Sequence, residues 1–584
     1  MSTHYCSIPY GQASFRDIRR AGAAYVDKTQ VIESLERLNL RFALFLRPRR
    51  FGKTLLASML KEYYDRSSAK DFDDLFAGTY IHSHKTSDQG DYYVLRLDFS
   101  GMSAKSVEKS FMLKLLNGMD DFFLRYPIPG SDEIVSGHFD DPSQLMEAFF
   151  LKVRKVVGNR LFLIIDEYDQ FANEILASDS RLFLKITSND GFLKNFYSVL
   201  KGEASGGVLS RIFMTGVTSL SVDSVSSGFG IQLNISQLPI FADAAGFTER
   251  ELRALIRRTL DLPALGLTEE ELIERMHDYY NGYRFSPQSD LSVYNSSMCL
   301  HYLAAFQMTG EEPLSIFDPS VGVDINKVSR ILSLADERAV RNVVTATVED
   351  RPVFLPGAAL SGPINLNNAF RLDERGMLAV LFFMGYLTFA PESRSELRCP
   401  NKAMKSQFFE YFFQAFYGAA PSFEGPDLQR IFHDVSLGDV VPLLKFISGK
   451  LVEAGGLHLL THFSETSIQV AVKFAMLPNF HYEVTLEDEA RGQGFCDLLL
   501  RPKAGNPGAA HLIELKQIKK SAGSEAEVRR ALLRAVDQLR RYAKTEPVRS
   551  LAHCRKWAAV FVGLELREVA SVPEDGSAVV SKIQ

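Results

Sequence analysis

Phe42 to Leu46 is an unbroken apolar run, and after a polar turn Leu55, Leu56, Met59, Leu60 and Tyr63 recur at helical spacing. The pattern predicts a buried strand, a loop over Arg47 to Thr54 and a helix packed by one face. Asp91 to Ser100 predicts a second strand ending at Asp98, and Leu161 to Ile165 a wholly apolar third. Ser106 to Tyr126 and Pro142 to Gly158 carry helical periodicity between them, so the order implies a parallel sheet with right-handed crossovers. Arg211 to Ser219 predicts another strand, Gly228 to Gly230 a turn, and Thr248 with Glu251 a capping box opening a helix. From Val293 to about Val440 the pattern is mostly helical, broken by a loop over Pro352 to Leu366 and a hairpin of Met384 to Phe389 with Leu397 to Asn401. Further on, Phe495 to Leu500 and His511 to Gln517 predict strands joined by a Gly and Pro loop. Val528, Leu532, Ala535, Leu539 and Tyr542 mark a helix, and Trp557 to Leu566 a last strand. The segment from Glu465 to Leu477 is ambiguous, because Ile468, Val470, Val472 and Phe474 alternate as a strand would.

Composition narrows the class. The 584 residues, 46% hydrophobic and 23% charged, suit a soluble globular chain of several domains. A net charge of -5 excludes a wholly basic nucleic-acid coat and leaves local patches for any such contact. The five cysteines are scattered without CxxC pairing, which suits a reducing cytosol and offers no zinc site. No signal segment opens the sequence, and the longest apolar stretch, Gly376 to Ala390, is shorter than a membrane span. The expectation is a cytoplasmic protein without membrane contact.

Chemistry concentrates at three places. Gly52-Lys53-Thr54 ends the form of a Walker A loop: backbone N–H groups at a helix N-terminus face phosphates, Lys53 reaches the outer ones and Thr54 ligates Mg²⁺. Arg47 stands where the first glycine of that pattern would be, and an arginine there resists a left-handed backbone. The strand Leu161 to Ile165 delivers Asp166 and Glu167 to the sheet's C-terminal edge in the form of a Walker B segment. Asp166 then holds Mg²⁺ through water and Glu167 orients or deprotonates the attacking water. Asp98 either faces the nucleotide or caps its own turn, and Thr215 or Thr218 is a candidate partner of the γ-phosphate.

Ile8 to Gly11, Phe15, Tyr25 to Thr29 (YVDKT) and Arg47 to Thr54 (RPRRFGKT) together resemble the opening of the predicted AAA-ATPase-like family of bacterial proteins. Asp166 to Asp169 (DEYD), Asn234 to Ser236 (NIS) and Tyr279 to Phe285 (YYNGYRF) resemble further motifs of that family. The resemblance implies an ATP-binding loop formed by Arg47, Pro48, Arg49, Arg50, Phe51, Gly52, Lys53 and Thr54, with Asp166 and Thr215 also facing ATP. It makes Asp169 a supporting residue, and Arg284 is the arginine available to stabilise charge near the γ-phosphate, unless it merely packs a turn. A strand between the two Walker strands, here Arg211 to Ser219, is implied as well.

Glu514 and Lys516, two apart on a strand, emerge on one face, and a hairpin partner brings Asp497 alongside. Asp497 and Glu514 can hold Mg²⁺ while Lys516 positions a water for attack on a phosphodiester. The arrangement resembles the PD-(D/E)xK nuclease core that many members of the family carry at the C-terminus. That resemblance implies a helix carrying Glu465 as a further metal-organising carboxylate, and Gln538 in the helix after the lysine strand. Arg530, Arg534 and Arg541 flank Gln538 as a basic stripe, either a phosphate-binding face or a solvated one. Cys496 replaces the proline of the motif's name, and Phe495 stands where relatives carry arginine.

The expected architecture is α/β: an AAA-like P-loop ATPase domain over 1–245, a helical lid or winged-helix-like connection over 246–445 and a restriction-endonuclease-like domain over 446–584. The expected function is a Mg²⁺-dependent nuclease regulated by ATP, with DNA ahead of RNA as polymer. The alternative is an ATPase switch whose degenerate nuclease fold binds nucleic acid or a protein without cleaving. A purely structural C-terminal fold is the third reading, and self-assembly into a homo-oligomer stays open.

Overall fold

The structure, a computed structural model, describes residues 5–103, 106–172, 175, 179–188, 190–218, 230–313, 332, 334–348, 351–355, 360, 372–391, 393–417, 423, 427–454, 465–479, 481–489, 495–503, 505–520, 523–543, 551, 553–573 and 579–582. Ser219, Gly228 and most of the expected loop at 352–366 lie outside them. Two compact units form, residues 1–346 with 350–404, and 347–349 with 405–584. Apart from 347–349, residues 246–404 thus fall in the first unit, and 405–445 fall in the second. Among the described residues no helix is long and apolar enough to cross a membrane.

The first unit is built on five parallel strands, β1 (Phe42–Leu46), β2 (Tyr93–Asp98), β3 (Leu161–Asp166), β4 (Leu209–Gly216) and β5 (Leu233–Asn234), in the order β2-β3-β4-β1-β5. Every residue of β3 is buried, as is every residue of β1 after Phe42, which is why these strands read as continuous apolar runs. The helix Lys53–Tyr64 packs on β3 and β4, Val107–Arg125 on β2 and Phe192–Ala204 on β4. As expected, β4 lies between β1 and β3. Because all five strands run one way, the loop after β1, the acidic pair after β3 and the end of β4 share one edge.

That edge is pinned by the residues of the NIS motif. Asn234 Oδ1 accepts from the Ser236 N–H and hydroxyl at 3.1 and 2.5 Å, and Ser236 Oγ in turn accepts the Leu46 N–H at 2.7 Å. Arg47 follows directly: its N–H donates to Gly216 O, continuing the β1 ladder, and its side chain turns inward, 1% exposed. The guanidinium donates to the carbonyls of Leu46, Ser236 and Phe241 at 2.7 to 2.9 Å and lies 4.5 and 4.1 Å from the ring centres of Phe45 and Phe285. Burial pulls Arg47 down to about 9, which still leaves it charged at neutral pH.

Later in the unit the capping box of Thr248 and Glu251 opens the helix Glu249–Thr259 as expected. The expected hairpin also forms, as β7 (Thr388–Phe389) against β8 (Glu396–Arg398), with β6 (Val353–Phe354) on the other side of β8.

The second unit holds a mixed sheet of β9 (Tyr482–Glu489), β10 (Phe495–Pro502), β11 (His511–Ile518), β12 (Arg555–Val562), β13 (Glu565–Ser571) and β14 (Val579–Lys582), paired in sequence order. Only β11 and β12 are parallel, and the helix Glu525–Tyr542 connects them, burying Val528, Leu532, Ala535, Leu539 and Tyr542 on the sheet. The run Trp557 to Leu566 is not one last strand: the chain reverses at Gly563, φ +62°, and continues into β13 and β14. Leu564 in that turn is itself buried, so the reversal leaves no polar mark in the sequence. The ambiguous segment is a helix, Glu465–Ala475. Ile468, Gln469, Val470, Ala471 and Val472 are all buried, and a helix buried all round has no 3.6-residue period to show. Between β12 and β11, Trp557 Nε1 donates to His511 Nδ1 at 3.2 Å while His511 Nε2 meets Val435 O at 2.8 Å; burial pushes His511 down to about 4.

Replacing Arg47 by Lys should destabilise the first unit by about 2 kcal/mol or more, since one ammonium cannot span three buried carbonyls. Chemical denaturation checks this, and an unchanged midpoint would show that the carbonyl bridge contributes nothing.

Candidate functional sites

In the loop after β1 the left-handed positions are Arg50 (φ +68°) and Gly52 (φ +92°), so the strain expected at Arg47 falls three residues later. Lys53, 3% exposed, donates to Pro48 O at 3.1 Å and sits 3.8 Å from Glu167 Oε1. Glu167 also has a left-handed backbone, φ +51°. Asp166 is 1% exposed; Arg96 donates to its Oδ2 at 3.1 Å, and its Oδ1 has no partner among the described residues. Burial raises both carboxyls above their ordinary range, opposed at Asp166 by Arg96 and at Glu167 by Lys53. Asp169 Oδ1 accepts from Val217 N–H and its Oδ2 from Thr218 N–H and hydroxyl, tying the acidic loop to the end of β4.

These groups open on a cavity of about 440 Å³. Its lining includes Arg49, Arg50, Gly52, Lys53, Thr54, Asp166 and Glu167 among polar and loop residues, and Pro9, Ile18, Val26 and Leu255 among apolar ones. A cavity that combines cationic groups and carboxylates with apolar side chains has the chemistry to accept a nucleotide's phosphates and base. Lys28 of the YVDKT segment lines it too, held by both oxygens of Glu251 at 2.8 and 2.6 Å.

Several expected residues stand elsewhere. Arg47 does not line the cavity, because it is committed to interior carbonyls, and Pro48 lies against Gly385 and gives its carbonyl to Lys53. Phe51 lines the cavity with its edge while its ring packs 4.8 and 5.3 Å from Tyr283 and Phe285. Thr215 is fully buried within β4 with a partnerless hydroxyl and does not line the cavity. Arg284 is a brace, donating to the carbonyls of Ala390 and Ser289 and to Asp290, so it faces no phosphate. Asp98 caps its own turn, accepting the Ser100 N–H at 2.9 Å, and also lines the cavity. Arg96 was not anticipated; its place two before Asp98, on the same strand face, was the available signal.

In the second unit β10 and β11 pair antiparallel and gather Asp497, Glu514 and Lys516. Lys516 Nζ donates to Glu514 Oε1 and Leu515 O, each at 2.9 Å, and lies 3.5 Å from Glu465 and 3.9 Å from Asp497. Asp497 Oδ2 accepts the Leu515 N–H at 2.7 Å and its Oδ1 accepts from Gln469 Nε2 at 3.0 Å. Glu514 is 1% exposed, and its Oε2 has no partner among the described residues. Burial lifts Asp497 to about 6, and burial with the neighbouring Asp497 charge lifts Glu514 to about 7. Burial works to lower Lys516, but its bond to Glu514 and the charges of Glu514, Asp497 and Glu465 together outweigh that and hold the ammonium above its ordinary value.

Gln538 lies beside Tyr542, whose hydroxyl feels the charges of Glu514 and Asp497. Of the basic stripe, Arg530 is paired with Glu527 and Arg541 leans on Asp537 O, while Arg534 is exposed. Gln469 was missed; four residues after Glu465, it shares the same face once the segment is a helix.

Among the described residues no three His, Cys, Asp or Glu side chains form a ready metal cage. Mg²⁺ needs no such cage, since one or two carboxylates plus waters and substrate phosphates suffice. The orphaned oxygens Asp166 Oδ1 and Glu514 Oε2 fit that donor set.

Because the folded state raises Glu514 and Asp497, it holds their protons more tightly than the unfolded chain does. Metal-free stability of the second unit therefore falls as pH rises from about 4 through about 7, then levels. Glu514→Gln should flatten that profile and stabilise the unit at pH 8 by about 2 kcal/mol. Thermal unfolding in chelator across pH 4 to 8 measures it; a variant no more stable than the parent at pH 8 would contradict the cost assigned to this carboxylate.

Residues 9–226 match the family model described as predicted AAA-ATPase, and residues 464–569 match that of the PD-(D/E)XK nuclease superfamily. No curated protein matches the chain. Among solved structures, a Walker-type ATPase of Pyrococcus abyssi is similar at 12% identity and a TM-score of 0.39, covering 70% of this chain and 99% of that one, a likeness too distant to carry an argument. The two matched segments carry the two clusters described above, residues 9–226 the loop after β1 with Asp166 and Glu167, and residues 464–569 Asp497, Glu514 and Lys516.

Proposed function

We propose that the first unit binds and hydrolyses ATP, that the second cleaves a nucleic-acid backbone with Mg²⁺, and that the nucleotide state regulates the cleavage. One observation carries the reading: each unit buries a carboxylate with an unused oxygen, Asp166 Oδ1 and Glu514 Oε2, close to a lysine-bearing polar cluster. An orphaned buried carboxylate oxygen costs about 1 to 3 kcal/mol, a cost that fits a site completed by a ligand.

At the first site Lys53 holds the outer phosphates, and Thr54 and Asp166 hold Mg²⁺ when it is present. Glu167 receives a hydrogen bond from the attacking water. The water oxygen bonds to the γ-phosphorus, the bridging oxygen leaves on ADP with the electron pair, and the water's proton passes by Glu167 to solvent, giving ADP and phosphate. At the second site Asp497 and Glu514 hold Mg²⁺, which supplies Lewis-acid polarisation of the scissile phosphate when bound. Lys516, held by Glu514 and by Leu515 O, aims its remaining N–H at a water for in-line attack, and Gln469 keeps Asp497 in plane. Glu465 faces Lys516 and tunes its charge. DNA is the favoured polymer, and the stretch 246–445 is the proposed coupling region between an ATPase domain at 1–245 and a nuclease domain at 446–584.

Lys53→Ala should abolish ATP turnover, with cleavage falling in parallel if ATP licenses it. Glu514→Ala and Lys516→Ala should each lower cleavage of plasmid or single-stranded DNA by at least about 100-fold while ATP turnover stays near that of the parent. Wild-type protein that binds DNA without cutting it under any nucleotide and Mg²⁺ condition would replace this reading with that of a non-cleaving switch.

A further inference from the structure

We propose that Arg49 contacts the terminal phosphate and stabilises its charge in the transition state, so that the ATP site is completed within a single chain. The inference rests on the reading of that cavity as an ATP site.

Phosphoryl transfer is catalysed mainly by positioning and by positive charge placed where negative charge gathers, and an arginine in that role typically contributes 10³ to 10⁵ in rate. Most of the cations near the edge of the sheet are already committed. Arg47 is bound to three carbonyls, Arg284 to two carbonyls and Asp290, Arg96 to Asp166, and Lys28 to Glu251. Lys53 is the lysine of the loop itself. Two guanidiniums remain on the cavity wall, those of Arg49 and Arg50.

The two differ. Arg50 occupies the left-handed position, and its carbonyl accepts from the Ser296 hydroxyl and the Ser297 N–H, each at 3.2 Å. Its backbone is therefore fixed to the start of the helix Ser296–Thr309. Arg49 precedes that turn, is exposed, and makes no hydrogen bond or ion pair with a described residue. Its charge is felt at Glu167, the residue that faces the attacking water, whose other cationic neighbour is Lys53 at 3.8 Å. A free guanidinium on the wall shared with the acidic pair is placed to reach the γ-phosphate from beside Glu167, together with Lys53 on the outer phosphates. Its planar fork can bridge two equatorial oxygens, which an ammonium cannot.

The test uses the full chain and four proteins: the parent, Arg49→Ala, Arg49→Lys and Arg50→Ala, each first shown to keep the parent's melting temperature. Steady-state and single-turnover ATP hydrolysis should show Arg49→Ala losing at least about 100-fold in kcat with KM changed by less than about fivefold. Arg49→Lys should recover only part of that loss. Affinity for fluorescent ADP should stay within about threefold of the parent, because ADP lacks the phosphate contacted. The parent's activity per chain should be constant from about 10 nM to about 10 µM, as expected when no neighbour supplies the arginine. Arg49→Ala within about fivefold of the parent's kcat, the same signature in Arg50→Ala alone, or activity per chain that rises with concentration overturns the proposal. A parent that neither binds nor hydrolyses ATP brings down the ATP reading itself, which the Lys53→Ala comparison identifies separately.

Discussion

The nucleotide edge of the first unit depends on one buried cation. Arg47 sits where β1 ends and draws three carbonyls from three separate segments, Leu46, Ser236 and Phe241, onto one guanidinium. A charge 1% exposed is expensive to bury, and the expense is offset here by fixed carbonyl dipoles and by two aromatic faces. The result is a β1 terminus that cannot drift relative to β4 or to the segment after β5. Residues 48 to 54 start from that anchor, so the loop's reactive groups inherit its position.

The two carboxylate sites solve a similar physical problem in different ways. At the end of β3 a single arginine offsets Asp166 while Lys53 leans on Glu167, so each acid has its own cation. On β10 and β11 three acids, Asp497, Glu514 and Glu465, share Lys516. One positive charge among three negative ones leaves a surplus of negative charge in a partly desolvated place, and the carboxyls respond by holding protons. A divalent cation is the natural complement of such a surplus, whereas the first site calls for an anion with its own counter-ion.

How much of this was legible in the sequence depends on whether the relevant residues are neighbours along the chain. Gly52-Lys53-Thr54, Asp166-Glu167 and Glu514-x-Lys516 are contiguous, and strands deliver contiguous residues to one edge or face, so both sites could be read directly. Residue type alone does not say where a long side chain points. Arg47 and Arg284 look like phosphate ligands in a string of letters, yet each turns to carbonyls that only the folded chain brings near. Gln469 was hidden for another reason: its helix is buried on every side, so apolar residues erased the period that would have marked Glu465 and Gln469 as partners. The NIS residues had no chemistry of their own to read, since their work is to hold Leu46 and Arg47 from the far end of another strand.

The hydrogen bond between Trp557 and His511 has a practical consequence. Trp557 is the chain's single tryptophan, it lies opposite Ile513 on the strand that carries Glu514, and its imidazole partner stays neutral above about pH 5. Intrinsic emission excited at the red edge of the absorption band therefore comes from one half of the molecule alone. Loss of that half's structure can be followed optically in the intact chain, with no label and no truncation.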